Sequence, residues 1–395
     1  MVTAAQPLPS SPTVPTAPSA TPAPSAAPRP RRFRVAAVRH LGPNWYAAVM
    51  GTAIVGTAGA GLPAEAAGAA ALPGLRVFCA TVWALSLVLL VVLLAARAVH
   101  WAHHRDQARA HLLDPAVAPF YGCLAMALLA VGGGALVVGE DWTGERAAVV
   151  LAAVLFAAGT AVALAAAVAV PYLMVVRHRI TFDRATPVWL LPLVAPMVSA
   201  AVGPLLVPHL PPGQARETLL LGCCALFGTS LLATLALLPV IVTRLITAGP
   251  LPVALTPALF LVLGPLGQST TAADKFARYA PEVVPAPYDA GFAVFAVLYG
   301  VPVLGFALLW LALSAALVVR ARRRGMTFTL TWWAFTFPVG TCVTAAEGLA
   351  RRTGLVAFGA LAFGLYALLL AAWAVALVRT VRGTVSGELL AAPRR

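Results

Sequence analysis

Charge is what this 395-residue chain has least of: only 10% of its residues are Asp, Glu, Lys or Arg, against about 25% in a soluble globular domain. That excludes a soluble fold. The complement is 61% hydrophobic residues and a mean hydropathy of +0.90, the composition of a chain that lives in lipid. Disulfide and metal chemistry are also missing. The five cysteines, Cys79, Cys123, Cys223, Cys224 and Cys342, all fall in apolar runs, and the adjacent pair would point about 100° apart on a helix, so neither a disulfide framework nor a metal site follows. No basic segment followed by a short apolar one opens the chain, so no cleaved signal peptide is expected, and the first span should itself start insertion. No nucleophile with an adjacent base and no ligand cluster lies at an interface, so neither an enzyme active site nor a cofactor is expected.

Long apolar runs, by contrast, are abundant. They recur at 44–62, 75–97, 118–138, 147–170, 187–207, 218–242, 252–272, 290–319, 327–349 and 354–378, each near the ~20 residues that cross a ~30 Å hydrocarbon core. An all-α, polytopic protein with ten transmembrane helices is predicted. With the amino terminus inside, the cytoplasmic side carries 20 basic and 4 acidic residues and the opposite side 7 and 9. This positive-inside asymmetry puts both termini in the cytoplasm of a plasma-membrane protein, and accounts for the net charge of +14 without a nucleic-acid partner. Residues 1–40 read as a disordered Pro/Ala-rich tail with a basic end, 41–382 as the transport domain and 383–395 as a short cytoplasmic tail.

The spans alternate in character. Odd ones carry glycine, proline and hydroxyls: Gly51, Thr52 and Thr57 in the first, Gly122 in the third, Pro192, Pro196 and Ser199 in the fifth, Pro257, Gly264 and Pro265 in the seventh. Even ones are mostly Ala, Leu and Val. Odd helices surrounding an axis, with even ones facing lipid or a neighbouring subunit, fit this pattern; small residues serving only close packing are the alternative. Two lookalikes are set aside. The Gly51-Thr-Ala-Ile-Val-Gly56 run follows no strand and reads as helix packing. His100, His103, His104 and His111 read as a solvated basic interfacial segment before a metal site.

The ninth span is the most unusual. If it begins near Thr327, Phe337 lies about ten residues in, roughly 15 Å and hence at mid-membrane. On a continuous helix Trp333, Phe337, Gly340, Thr341 and Thr344 share one face, Thr336 adjoins it, and Phe335 points away. Pro338 should kink that helix one residue past Phe337.

Four segments together, Asn44-Trp-Tyr…Val49-Met-Gly-Thr52, Thr186-Pro-Val-Trp-Leu-Leu-Pro192…Pro196, Gly264-Pro-Leu-Gly-Gln-Ser269 and Trp332-Trp-Ala-Phe-Thr-Phe-Pro338, resemble the tellurite-resistance/dicarboxylate transporter family, which includes the plant slow anion channels. The resemblance spans about residues 40 to 380, with Ala53 departing where many members have glycine. It implies five helical hairpins, odd helices lining a central pore, a phenylalanine gate on helix nine and, commonly, a homotrimer. Phe337 best matches that gate, with Phe335 as fallback.

Small inorganic or carboxylate anions are therefore the expected cargo. With Glu347 and Asp274 read as near the outer interface, and Asp274 in a loop, no ionisable group stands at mid-span, which favours a channel or uniporter over a proton symporter. A carrier exporting C4-dicarboxylates, sulfite or tellurite-related oxyanions is second, and a membrane enzyme or scaffold third. The topology has a direct check. In a cysteine-free background, single cysteines at Ala102 and Ala321 should react with an impermeant thiol reagent only from inside, and one at Thr143 only from outside; external labelling of Ala102→Cys or Ala321→Cys would invert or break the assignment.

Overall fold

The computed structural model describes residues 39–62, 72–178 and 181–390; the first 38 residues of the amino-terminal tail and the last five of the carboxy-terminal one lie outside these. Every spanning element is helical. Ten principal helices follow in chain order: α1 Tyr46–Ala60, α2 Leu72–His103, α3 Tyr121–Gly134, α4 Glu145–Val176, α5 Leu190–Val202, α6 Gln214–Ala248, α7 Leu263–Tyr279, α8 Tyr288–Arg323, α9 Phe337–Thr353 and α10 Val356–Val385. Among the described residues eight helical stretches are long and apolar enough to cross a membrane; α1 and α9 are not among them.

Length and burial separate two classes. The even helices run 30 to 36 residues, about 45–54 Å at 1.5 Å per residue and longer than the hydrocarbon is thick. Their apolar windows are only 22–33% buried, against 78–89% for the stretches built on α3, α5 and α7. Large side chains such as Leu232, Leu298 and Leu309 point outward from the even helices. These helices have no hydrophilic face to give water and are suited to lipid.

The odd helices have α-helical cores of only 13 to 17 residues, and each is completed at its amino-terminal end by a tighter 3₁₀ segment: Pro43–Trp45, Ala118–Phe120, Pro187–Trp189, Val253–Val262 and Leu330–Phe335. Proline explains the recurrence. Pro192, Pro265 and Pro338 sit within the first three residues of α5, α7 and α9, at the change from 3₁₀ to α-helix, where the fixed φ of proline suits the turn. Pro196 alone of these lies well inside its helix. The prolines thus stand at 3₁₀-to-α junctions, where a kink within one continuous α-helix was expected.

That corrects the reading of the ninth span. It is a 3₁₀ segment, a break at Thr336 (φ −96°, ψ −77°) and an α-helix starting at Phe337. A 3₁₀ helix turns about 20° more per residue than an α-helix, so over the four residues from Trp333 to Phe337 the two side chains drift apart by up to ~80°. Trp333 accordingly leaves the face of Phe337 and donates its Nε1–H to Thr380 Oγ1 at 3.0 Å. The histidine segment differs too. α2 runs to His103, a short helix Arg105–Leu113 follows, and fully buried His100 stacks on His111 with ring centroids 5.6 Å apart. Burial, then Arg97 and His100, push the His111 imidazole down to about 4, so it is neutral at physiological pH.

Each odd helix packs along the even helix that follows it, and the odd helices touch in the order α1, α3, α5, α7, α9 and back to α1. Small residues set the spacing. A methyl on Gly122 would run into the Leu191 and Pro192 backbone, one on Gly267 into the Thr341–Cys342 backbone, and one on Gly340 into Ile54. Because backbone cannot step aside, Gly122→Ala should lower stability by about 1–3 kcal/mol. Gly222→Ala, where a methyl meets nothing within 4 Å, should be neutral or slightly stabilising. Thermal unfolding of both in detergent checks this; equal midpoints would show that the α3–α5 contact is not close-packed.

Candidate functional site

The closed ring of odd helices encloses two cavities. The larger, about 540 Å³, opens mainly among the carboxy-terminal halves of all five: Ile54 and Thr57 from α1 with Gly61 just past its end, Gly133 from α3, Val198 and Val202 from α5, Gln268, Thr271, Lys275 and Arg278 from α7, and Thr344, Glu347 and Arg351 from α9, with Phe337 at the start of α9 bordering it. The smaller, toward the amino-terminal halves, measures about 10 Å³ and is lined by Met50, Met126, Leu190, Leu191, Val194, Leu261, Gly264, Phe337 and Pro338. Ten cubic ångströms is barely one water. Phe337, 2% exposed, borders both cavities.

Local structure explains that position. Phe337 is the first residue of α9, and a helical side chain leans toward the amino-terminal end of its helix. Across from it, Gly264 near the start of α7 lines the small cavity, and a methyl there would meet nothing within 4 Å. Gly264 thus leaves open space on its side of the small cavity, and the bulk around it comes from Phe337 and the Met, Leu and Val side chains.

The other sequence-derived candidates divide. Thr57 and Thr344 line the large cavity, and Gly264 and Pro338 the small one. Thr344 shares a 2.7 Å hydroxyl contact with Thr271. The rest pack elsewhere. Thr52 donates to the Ala48 carbonyl at 2.7 Å and accepts from Trp373 Nε1 at 3.2 Å, facing α10. Ser199 accepts from Thr160 on α4 at 3.0 Å, Thr336 donates to the Trp333 carbonyl at 2.7 Å, and Thr341 to the Pro338 carbonyl at 2.7 Å. Gly51 lies against Thr336, Gly122 against α5 and Gly340 against Ile54. Pro192, Pro196, Pro257 and Pro265 shape their helices and line neither cavity. Phe335 also lines neither; it packs edge-on to Phe260 with centroids 4.7 Å apart.

Sequence reasoning missed the charged wall of the large cavity. Asp274 is not in a loop but inside α7, 6% exposed, and its carboxylate pairs with Arg352 at 2.7 Å and Arg351 at 3.4 Å. Glu347 is 3% exposed and lines the cavity with Lys275 and Arg278. Arg76 of α2 reaches the same cavity, paired with Asp141 at 2.6 Å. The signal was present in the spacing. From Gly264, the residues Gln268, Thr271, Lys275 and Arg278 follow one helical face, as Thr344, Glu347 and Arg351 do from Phe337.

Chemically the arrangement is a polar, net-basic cavity and a small apolar one, with Phe337 bordering both. Exposed or half-exposed cations raise the local concentration of anions, and a narrow apolar stretch is a barrier that ions cross only when it wets.

The chain is similar to known proteins over nearly its whole length. A family model described as voltage-dependent anion channel, SLAC1, matches residues 40–381. A transporter of unassigned specificity from Methanocaldococcus jannaschii is 26% identical over 355 residues, covering 89% of this chain and 96% of its own. The sulfite efflux pump SSU1 of Arthroderma otae is 26% identical over 365 residues, covering 91% and 95%, and that of Trichophyton rubrum 26% over 359, covering 89% and 93%. With a basic cavity and an apolar constriction inside a ring of short helices, and a family match from residue 40 to residue 381, the protein belongs to the SLAC1 family of anion channels and transporters.

Proposed function

We propose that the chain crosses the plasma membrane ten times as five hairpins, with both termini cytoplasmic and α1, α3, α5, α7 and α9 around a central conduit, and that it works as a channel or uniporter for small inorganic or carboxylate anions, closed by Phe337. The observation that carries this is the place of Phe337 between the two cavities. In the positive-inside orientation the 540 Å³ cavity faces outward and the apolar constriction lies on the cytoplasmic side of the ring. The outward apolar faces of the even helices suit a homotrimer in lipid.

Lys275 and Glu347 in the cavity wall favour a second reading, a carrier. Ionisable groups along a membrane pathway are costly and serve substrate or proton handling, and two of the relatives are named sulfite efflux pumps. Saturating flux in fixed stoichiometry with protons would separate carrier from channel.

The gate has its own test. Phe337→Ala should raise chloride or nitrate current in planar bilayers by about tenfold or more, by widening and wetting the constriction, while Phe335→Ala stays at the wild-type level. Thermal unfolding controls for packing, since a phenylalanine that only fills a core loses about 3–5 kcal/mol on truncation without opening anything. A silent Phe337→Ala protein of normal stability would remove Phe337 as the gate.

A further inference from the structure

The carboxy-terminal end of α8 gathers four exposed arginines, Arg320, Arg322, Arg323 and Arg324. None is ion-paired among the described residues. Capping of the helix does not occupy them either. The Met326 N–H donates to the Ala321 carbonyl and the Gly325 N–H to the Arg322 carbonyl, both at 3.1 Å, with Gly325 at φ +85°, so the backbone itself closes the last turn.

Counted along the helix, these residues sort onto two faces. Leu309, Leu313, Ala316, Arg320 and Arg323 follow one stripe, and every one of them is exposed. An apolar strip thus runs straight into two guanidinium groups. Arg322 lies about 160° round the helix from Arg320, with its guanidinium carbon 5.2 Å from the centre of the Trp332 ring. Trp332 belongs to the 3₁₀ segment Leu330–Phe335, which leads into Thr336 and Phe337. Its ring packs edge-on against Phe335 with centroids 5.7 Å apart, and Phe335 against Phe260 at 4.7 Å, next in sequence to Leu261 of the small cavity. Ring contacts therefore run from the end of α8 to the cavity wall.

A positive-inside excess accounts for arginines on this side of the membrane, but not for two of them extending an apolar stripe. A ligand that matches both parts carries an acyl chain and a phosphate. Arginine meets phosphate with paired N–H donors, its stem lies well along apolar surface, and juxtamembrane basic clusters attract anionic lipid. Free phosphate would use the arginines and leave the stripe bare. The chain's own first 40 residues contain no Asp or Glu to offer.

From this we infer that the end of α8 binds an anionic phospholipid, its acyl chains along Leu309 and Leu313 and its headgroup phosphate against Arg320, Arg323 and Arg324. The bound lipid steadies the last turn of α8, and with it the seat of Arg322 on Trp332 and the 3₁₀ segment that precedes Phe337. The site rests on the proposed orientation, in which this end of α8 meets the cytoplasmic leaflet, and it lies outside the conduit.

Full-length protein in detergent micelles, with phosphatidylglycerol or phosphatidylcholine added, gives two readouts: lipid retained in native mass spectrometry, and amide hydrogen exchange over residues 330–336. Wild type should retain phosphatidylglycerol in preference to phosphatidylcholine and exchange severalfold more slowly in its presence. The triple variant Arg320→Gln, Arg323→Gln, Arg324→Gln should weaken retention by about tenfold, the scale of losing basic contacts to an anionic surface, and abolish the slowing. A control triple elsewhere on the same side, Arg105→Gln, Arg109→Gln, Arg382→Gln, should change neither readout. Trp332→Leu should retain lipid but lose the slowing, and Trp332→Phe, which keeps a ring beside Arg322, should preserve it. If Trp332→Leu fails to fold, Trp332→Phe and the α8 triple decide. Equal loss in both arginine triples would reduce the site to unspecific surface charge and overturn it. The same slowing by glycerol phosphate would show phosphate read from solution and overturn the lipid site. Retention without slowing in wild type would overturn the link to Trp332. Neither readout needs ion flow, so a failure of the conduit reading is seen separately.

Discussion

The contact between Gly51 and Thr336 is the one on which the site hangs. Thr336 breaks the 3₁₀ segment from α9, its hydroxyl donates back to the Trp333 carbonyl at 2.7 Å, and it sits where any side chain at position 51 would have to begin. Only glycine lets α1 come that near. The approach closes the ring between α1 and α9 and fixes the residue at which α9 starts. Since that residue is Phe337, a backbone event decides which side chain stands between the cavities.

The two sides of Phe337 then differ in kind. Toward the carboxy-terminal ends of the odd helices the wall carries Lys275, Arg278, Glu347 and three threonines. Toward the amino-terminal ends it is methionine, leucine and valine around about 10 Å³. Stripping water from an ion in such a space costs several kcal/mol, so the constriction is a barrier even without a perfect steric seal. Helix α9 begins just after the break at Thr336, with Phe337 as its first residue, and the amino terminus of a helix carries the positive end of its dipole.

Much of this was legible in the sequence and some was not. Composition and apolar runs gave the all-helical membrane class, and the glycine, proline and hydroxyl alternation singled out the helices that prove most buried, α3, α5 and α7. Phe337 could be singled out because an aromatic beside a proline at mid-span has few structural uses. The helix type could not be read. Hydrophobic periodicity assumes 100° per residue, and Leu330–Phe335 is 3₁₀, so the wheel placed Trp333 beside Phe337 when it belongs with Thr380. Threonines misled for a related reason. In an apolar helix a hydroxyl can be satisfied by the carbonyl one turn back, as in Thr52, Thr336 and Thr341, and need not face water. Lys275 and Glu347 were passed over because depth along the chain was judged without register; counted by helical turns from Gly264 and Phe337 they fall on the cavity face.

Phe337 stands between the two cavities, and chemical accessibility across it tests most directly whether it alone separates them. With the five native cysteines replaced, Thr57→Cys reports the large cavity and Gly264→Cys the small one. An impermeant anionic thiosulfonate added outside should modify Thr57→Cys at once and leave Gly264→Cys untouched while Phe337 is present. With Phe337→Ala it should modify both. Reaction of Gly264→Cys from outside past an intact Phe337, or its continued protection in the Phe337→Ala protein, would show that Phe337 does not separate the two cavities.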